Sequence, residues 1–448
     1  MPVSPARAAA FDILLRIERE SSYASELLHS AAYERLSVPD HALATELVMG
    51  VLRWRSLLDY EIGKASSTQL SRLDLEVLIS LRLAVYQFGW LDRIPKHAVL
   101  NESVELVKRA RKRSAAGFVN AVLRKLASSK PGASAAIGAS PNAESLARLS
   151  AHPLWIVERW IEQYGIAAAK QICEYDQSVP ATTIRLRAPS AEQNLLDEQV
   201  ALAPGAFMST ARRVLAGDVR KTNAFRTRDV VIQDEASQLV AALVGSGEKI
   251  LDCCAAPGGK TLAIADRNPS GSILASEIHP HRARLMRQLT QTPATSKHPI
   301  CLIAADAQYL PTQFHFDRIL ADVPCSGTGT IARNPEIRWR LKPDDLPDLH
   351  TRQAAILRSA LNHLDSGGRL IYSTCSLEKE ENEDVVEEIL SENSAIRMID
   401  CRTELERLQT AGELVWTDLD SLVRGPYLRT VPGVHPCDGF FAAILERR

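Results

Sequence analysis

From residue 249 onward the chain repeats one pattern, and that pattern admits few folds. Short apolar runs (KILDCCAA, SILASEI, PICLIAADA, FDRILADVPC and GGRLIYSTC) are separated by helix-length segments. This alternation predicts an open, Rossmann-like α/β sheet with helices on both faces. GFFAAILER, near the end, reads as one more strand. Open sheets of this kind bind ligands at the carboxyl ends of their strands. The residues that close each run are therefore the first candidates for chemistry.

The first run closes in LDCCAAPGGKT, a strand that enters a glycine-rich turn and then a helix. Gly258 and Gly259 let the backbone pass close to a ligand, and the helix start beyond them offers free amides. The spacing is neither GxGxxG nor GxxxxGK[ST], so a nucleotide-derived ligand without a polyphosphate fits best. The second run ends in Glu277, about 20 residues on, where a doubly wound sheet places its ribose-binding carboxylate. The third ends in Asp306, the fourth in Asp322 and Cys325, and the fifth in Cys375. In the usual strand order the first, fourth and fifth strands are neighbours, which brings Cys325 and Cys375 to one cavity. A single cysteine at a strand end reads as a core filler; two on adjacent strand ends above a cofactor loop read as functional. Cys173, Cys253, Cys301, Cys401 and Cys437 read as structural. Two thiols and a carboxylate beside a nucleoside-like cofactor suit methylation at carbon 5 of a cytosine. That chemistry needs a thiolate to add at carbon 6, a partner for ring nitrogen 3, and help with the final elimination.

The rest of the chain is organised differently. Residues 1–126 carry apolar side chains at helical spacing and predict an all-helical domain. Residues 127–144 are rich in Gly, Pro, Ala and Ser and read as a linker. Residues 145–240 read as a small α/β segment, and 241–448 as the catalytic domain. Residues 1–130 hold 19 Lys+Arg against 14 Asp+Glu, although the whole chain carries a formal charge of −1. Most of that excess lies in KRARKRSAAGFVNAVLRK, where Arg109, Arg111, Lys112 and Arg113 form a footprint for an anionic polymer. No stretch approaches the ~20 apolar residues of a membrane span, so a cytoplasmic protein is expected. No CxxC pair or histidine spacing suggests a metal. The acidic EKEENEDVVEE after Cys375 reads as a helix start.

LDCCAAPGGKT, ADVPCSGTGTIARNPEIRWR and YSTCSLEKEENEDVV are similar to the motifs of the RNA 5-methylcytosine methyltransferases. VELVKRARKRSAAGFVNAVLRK resembles the end of the NusB-like RNA-binding domain that one bacterial branch carries at its N-terminus. Nearly the whole chain takes part, with the linker as the main gap. The resemblance implies S-adenosyl-L-methionine as cofactor and 16S ribosomal RNA as substrate, naked or in a partly assembled small subunit. It implies that Cys254, Ala255, Ala256, Pro257, Gly258, Gly259 and Lys260 wrap the cofactor. Glu277 would take its ribose hydroxyls, and Asp306 would lie near its adenine. Asp322 would sit between cofactor and base, with Cys375 the nucleophile and Cys325 assisting product release. Arg333 and Arg338, with Trp339 and Arg340, are placed to hold the flipped nucleotide. A monomer is the default. Two other readings stay open: an enzyme of the same chemistry acting on transfer or large-subunit RNA, and an RNA-binding assembly or antitermination protein with an idle methyltransferase fold.

Overall fold

The structure is a computed structural model that describes residues 3–20, 22–30, 32–33, 35–128, 142–290 and 300–448. The chain divides into two units, Met1–Val179 with Ile331–Leu341, and Pro180–Thr330 with Lys342–Arg448. The expected linker lies mostly outside the described residues. Among the described residues no helix is long and apolar enough to cross a membrane.

The first unit is helical: α1 (Pro5–Glu20), α2 (Ala24–Leu28), α3 (Val38–Ala65), α4 (Leu75–Trp90), α5 (Lys96–Arg109), α6 (Ala116–Ser128), α7 (Ala143–Leu149) and α8 (Leu154–Gln177). Its core is the set of periodic apolar residues, among them Phe11, Leu14, Leu81, Val85, Val119, Val122 and Leu123. At Gly50 a β-carbon would fall 1.9 Å from the Tyr86 ring, so glycine is what lets α4 lay that ring on α3. Helix α8 breaks at Gly165, whose φ of +80° is open to glycine without strain.

Helices α7 and α8, from the expected 145–240 segment, pack on each other and against α3, and they fall in the first unit. Ile331–Leu341 also joins this unit, although it leaves and re-enters the catalytic sequence. Arg338 explains why. It is almost wholly buried, and its guanidinium donates to the carbonyls of Arg53 (3.4 Å), Ala151 (3.2 Å) and Asp176 (3.3 Å). Trp339 Nε1 donates to the Leu52 carbonyl at 2.6 Å, and Arg340 to the Ser22 carbonyl. Glu336 Oε1 accepts the Ala24 amide at 2.7 Å, at the start of α2. Arg338, expected on RNA, is instead a tie inside the helical unit, because all the oxygen atoms it meets are backbone.

The second unit contains two sheets. Strands β1 (Thr183–Leu186), β2 (Ala201–Pro204), β3 (Ala211–Ala216) and β4 (Val230–Ile232) form a small antiparallel sheet in the order β2-β3-β1-β4. The large sheet contains β5 (Lys249–Asp252), β6 (Ser272–Glu277), β7 (Ile300–Ala304), β8 (Phe316–Asp322), β9 (Leu364–Thr374), β10 (Ile396–Ile399), β11 (Val423–Arg424), β12 (Tyr427–Thr430) and β13 (Phe440–Arg447). Its order is β11-β12-β13-β9-β8-β5-β6-β7, with β10 also on β13. Strands β5 to β9 are parallel; β13 is antiparallel to β9. Alternate side chains enter two cores. Ile250, Leu320, Ile371 and Ile444 lie in one, and Leu251, Ile319, Leu370 and Leu445 in the other. Burial on both faces is why these strands read as unbroken apolar runs.

Arg338→Leu removes three charge-assisted hydrogen bonds in a buried place. It should cost about 2–4 kcal/mol, read by calorimetry as a lower melting temperature. An unchanged melting temperature would return Arg338 to the candidates for RNA contact.

Candidate active site

The order β6-β5-β8-β9 sets Glu277, Asp252, Asp322 and Thr374 along one carboxyl edge. The strand ends expected to be neighbours are neighbours, and Asp322 pairs in register with Ser373.

The turn after β5 is anchored by the Ala255 amide, which donates to the Ser276 carbonyl at 2.9 Å. Gly258 has φ of +105°, and an added β-carbon would sit 3.1 Å from Cγ of the buried Met286. The helix that follows, Gly259–Arg267, has no side-chain cap, so its first amides are left for a ligand. Glu277 is buried at the end of β6, and its Oε1 accepts the His279 amide at 2.8 Å. Asp306 caps a short turn, accepting the Gln308 amide at 2.9 Å. Cys254 lines the same turn, and burial pushes its thiol well above the usual range.

Lys260 reaches across to β8. Its Nζ lies 2.7 Å from Asp322 Oδ2, while Ser373 Oγ donates to Asp322 Oδ1 at 2.7 Å. The same Nζ stands 4.7 Å from the centre of the Phe440 ring. Burial opposes the ammonium charge, but Asp322 outweighs it and raises the lysine above its ordinary value.

Cys325 Sγ and Cys375 Sγ are 3.2 Å apart, both reduced and both half-buried. The hydrogen bond to Cys375 and burial push the Cys325 thiol well above its usual range. Glu381, fully buried, ties the two loops together. Its Oε1 accepts the Ser326 amide at 2.8 Å and the Gln353 amide at 2.8 Å. Its Oε2 accepts the hydroxyls of Ser326 and Ser376. Asn382 adds a bond to the Ser376 carbonyl at 3.0 Å.

The acidic stretch therefore does two things. Its second half starts the helix Glu383–Glu392, as expected. Its first half supplies Glu381 and Asn382 to the site, a role that acidic composition alone conceals. Asp252 was also missed. It is fully buried, accepts the Thr261 hydroxyl at 2.7 Å, and is pushed up to about 7 by burial, with Asp322 adding to the effect. The available signal was a charge closing the apolar run KILD, as Glu277 and Asp322 close theirs. Among the cysteines read as structural, Cys173, Cys253, Cys401 and Cys437 are buried, whereas Cys301 is exposed on β7 and is no core filler. Among the described residues no group of three or more His, Cys, Asp or Glu is arranged to hold a metal ion.

Of the basic run, Arg109 pairs with Asp12 at 2.7 Å and Lys112 with Asp74 at 3.0 Å, while Arg111 and Arg113 are exposed. Arg333 is half-buried in the segment that joins the helical unit.

Comparison with known proteins gives this arrangement a context. Residues 242–446 match the family described as 16S rRNA methyltransferase RsmB/F, and residues 4–128 match the NusB family. A probable ribosomal RNA small subunit methyltransferase B of Bacillus subtilis is 32% identical over 100% of both chains. The chain belongs to the RsmB/F family. Ribosomal RNA small subunit methyltransferase B of Vibrio cholerae is 31% identical over 99% of this chain and 97% of its own. Among solved structures, that of PH0851 covers 100% of both chains at 21% identity with a TM-score of 0.81. A methyltransferase homolog from Pyrococcus horikoshii covers 69% of this chain and 100% of its own, at 24% identity and a TM-score of 0.56. These likenesses establish the fold as that of a methyltransferase domain joined to a NusB-type helical domain.

Asp252 gives the RsmB/F site a pH signature. Its folded value of about 7 lies above the ordinary 3.8, so the native state holds this proton more tightly than the unfolded chain. The resulting stabilisation is full below about pH 4 and is lost as pH rises through about 7. Asp252→Asn cannot ionise and should remove that slope, a difference of at most about 4 kcal/mol between pH 4 and 8. Parallel melting curves for the two proteins across that range would contradict the assignment.

Proposed function

We propose that this RsmB/F chain methylates carbon 5 of a cytosine in 16S ribosomal RNA, using S-adenosylmethionine and a covalent bond from Cys375 to carbon 6. The observation that carries the reading is the 3.2 Å approach of Cys325 and Cys375 beside the Lys260–Asp322 pair.

The turn fits the cofactor. Gly258 takes the left-handed backbone of the turn, close against Met286, and the uncapped helix start offers amides to a carboxylate. Cys254 to Lys260 would wrap the ligand, Glu277 would take its ribose hydroxyls, and Asp306 would face its base. When bound, S-adenosylmethionine supplies an electrophilic methyl group.

The chain's own residues prepare the acceptor. Cys375 Sγ forms a bond to carbon 6, and the ring's electron pair passes to carbon 5, which takes the methyl group. The proton that the Cys375 thiol gives up passes to the ring nitrogen, whose new N–H donates to Asp322. Lys260 holds Asp322 in place. After a base has removed the proton from carbon 5, the electron pair of that bond expels the Cys375 thiolate and restores the aromatic ring. Cys325, kept as a thiol against Cys375, serves this release. Arg109, Arg111, Lys112, Arg113 and Arg333 are proposed to meet the RNA backbone; such contacts make binding salt-dependent.

S-adenosylmethionine should bind the full chain without RNA, and Gly258→Val should weaken binding at least tenfold in calorimetry. A wild type that binds none would remove the cofactor assignment.

The two thiols should separate on a denaturing gel. Cys375→Ala should form no RNA adduct and transfer no methyl. Cys325→Ala should attack and methylate but fail to release, so a protein–RNA complex accumulates. Trapping with Cys375→Ala alone would exchange the two roles, and trapping in neither lane would count against covalent catalysis by this pair.

A further inference from the structure

The large sheet has a second charged region, at the opposite end of β8 and β9 from the thiols. Arg318 on β8 and Arg369 on β9 are in-register partners on adjacent strands. Like charges side by side on one face of a sheet repel each other. Arg267 and Arg407 join them around a cavity of about 540 Å³, which Glu404 and Glu413 also line.

The cavity's own carboxylates do not balance it. Glu404 is shared between Arg369 at 3.0 Å and Arg407 at 2.7 Å, and Glu413 is taken by Arg267. Arg318 has no carboxylate at ion-pair distance among the described residues. Its Nη1 donates to the Asp317 carbonyl at 2.6 Å, and its buried Nε has no partner. The two nearby carboxylates are occupied elsewhere. Asp317 accepts the amides of Glu248 and Lys249, and Glu446, next to Arg369 on β13, takes Arg397. Burial lowers Arg318 from its ordinary value and Arg369 adds to the effect, although the Asp317 carboxylate opposes it. Four guanidinium groups face two carboxylates.

We propose that this cavity is a phosphate-binding site, separate from the catalytic edge. Paired guanidinium forks match the oxygens of a phosphate, and an excess of two positive charges matches its dianion. Arg318 precedes Asp322 by four residues on β8, so about 13 Å of strand separates this site from the thiol pair. A base and cofactor at the catalytic edge leave it free. The phosphate belongs either to the backbone of bound RNA or to a free phosphorylated molecule.

Calorimetry with inorganic pyrophosphate and the full chain tests the site. The wild type should bind saturably. Arg318→Gln should weaken binding at least tenfold, and so should Ser246→Glu, which adds a carboxylate at an exposed position on the cavity's rim. S-adenosylmethionine affinity should stay unchanged in both, which keeps the result independent of the methyl-transfer reading. An RNA arm identifies the source. If Ser246→Glu also lowers the slope of log affinity against log salt by about one, the ligand is RNA backbone. An unchanged slope with pyrophosphate binding lost identifies a free phosphate. A wild type that binds no pyrophosphate overturns the site, as does binding that both variants leave intact.

Discussion

Glu381 is fully buried, and its carboxylate accepts from the amide and hydroxyl of Ser326, the hydroxyl of Ser376 and the amide of Gln353. A buried carboxylate is costly unless its lone pairs are filled, and here four donors fill them. The donors come from three places. Ser326 follows Cys325, Ser376 follows Cys375, and Gln353 also holds the Pro324 carbonyl at 2.9 Å. One carboxylate therefore ties together two loops that are 50 residues apart in sequence. The 3.2 Å contact of the thiols rests on that clamp together with the backbone bond from the Gly329 amide to the Cys375 carbonyl at 2.9 Å.

The sheet supplies the other half of the constraint. Strand order β5-β8-β9 is what makes two distant cysteines neighbours, and antiparallel β13 locks β9 from its far side. The close pass of Gly329 and Gly439 shows how tightly the thiol loop is tied down. Their amide–carbonyl bond is 2.8 Å, and a β-carbon on Gly329 would lie 2.2 Å from the Gly439 carbonyl oxygen. The loop that carries Cys325 is thus held to the strand that braces Cys375.

Most of this was legible in the residues, for a physical reason. Strands buried on both faces must be apolar throughout, so any polar residue that closes one is conspicuous. Glu277, Asp322 and Cys375 stand out as candidates that way, and Asp252 follows the same rule. Glu381 was not legible. It lies in a run of acids, and only its neighbours in space distinguish it from Glu380 or Glu383. The boundary at Val179 was hidden too, because α7 and α8 announce helices but not the face against which they pack. Within the excursion Ile331–Leu341, Arg338 looked available because the carbonyls that hold it lie far away in sequence.

Arginine is the residue for which composition says least and hydrogen-bond accounting says most. Arg338 and Arg318 both leave water to a large degree, and both are drawn below their ordinary value by burial. Arg338 gives its two terminal nitrogens to three carbonyl oxygens on fixed backbone, although its buried Nε, like that of Arg318, has no partner. Arg318 differs in standing in register with another arginine and in donating only to the Asp317 carbonyl. A like-charge neighbour adds to the cost of burying such a cation. A fold gains nothing from that arrangement on its own. The same desolvation that makes Arg338 a structural tie makes Arg318 half of an interaction whose other half is an anion from outside the chain.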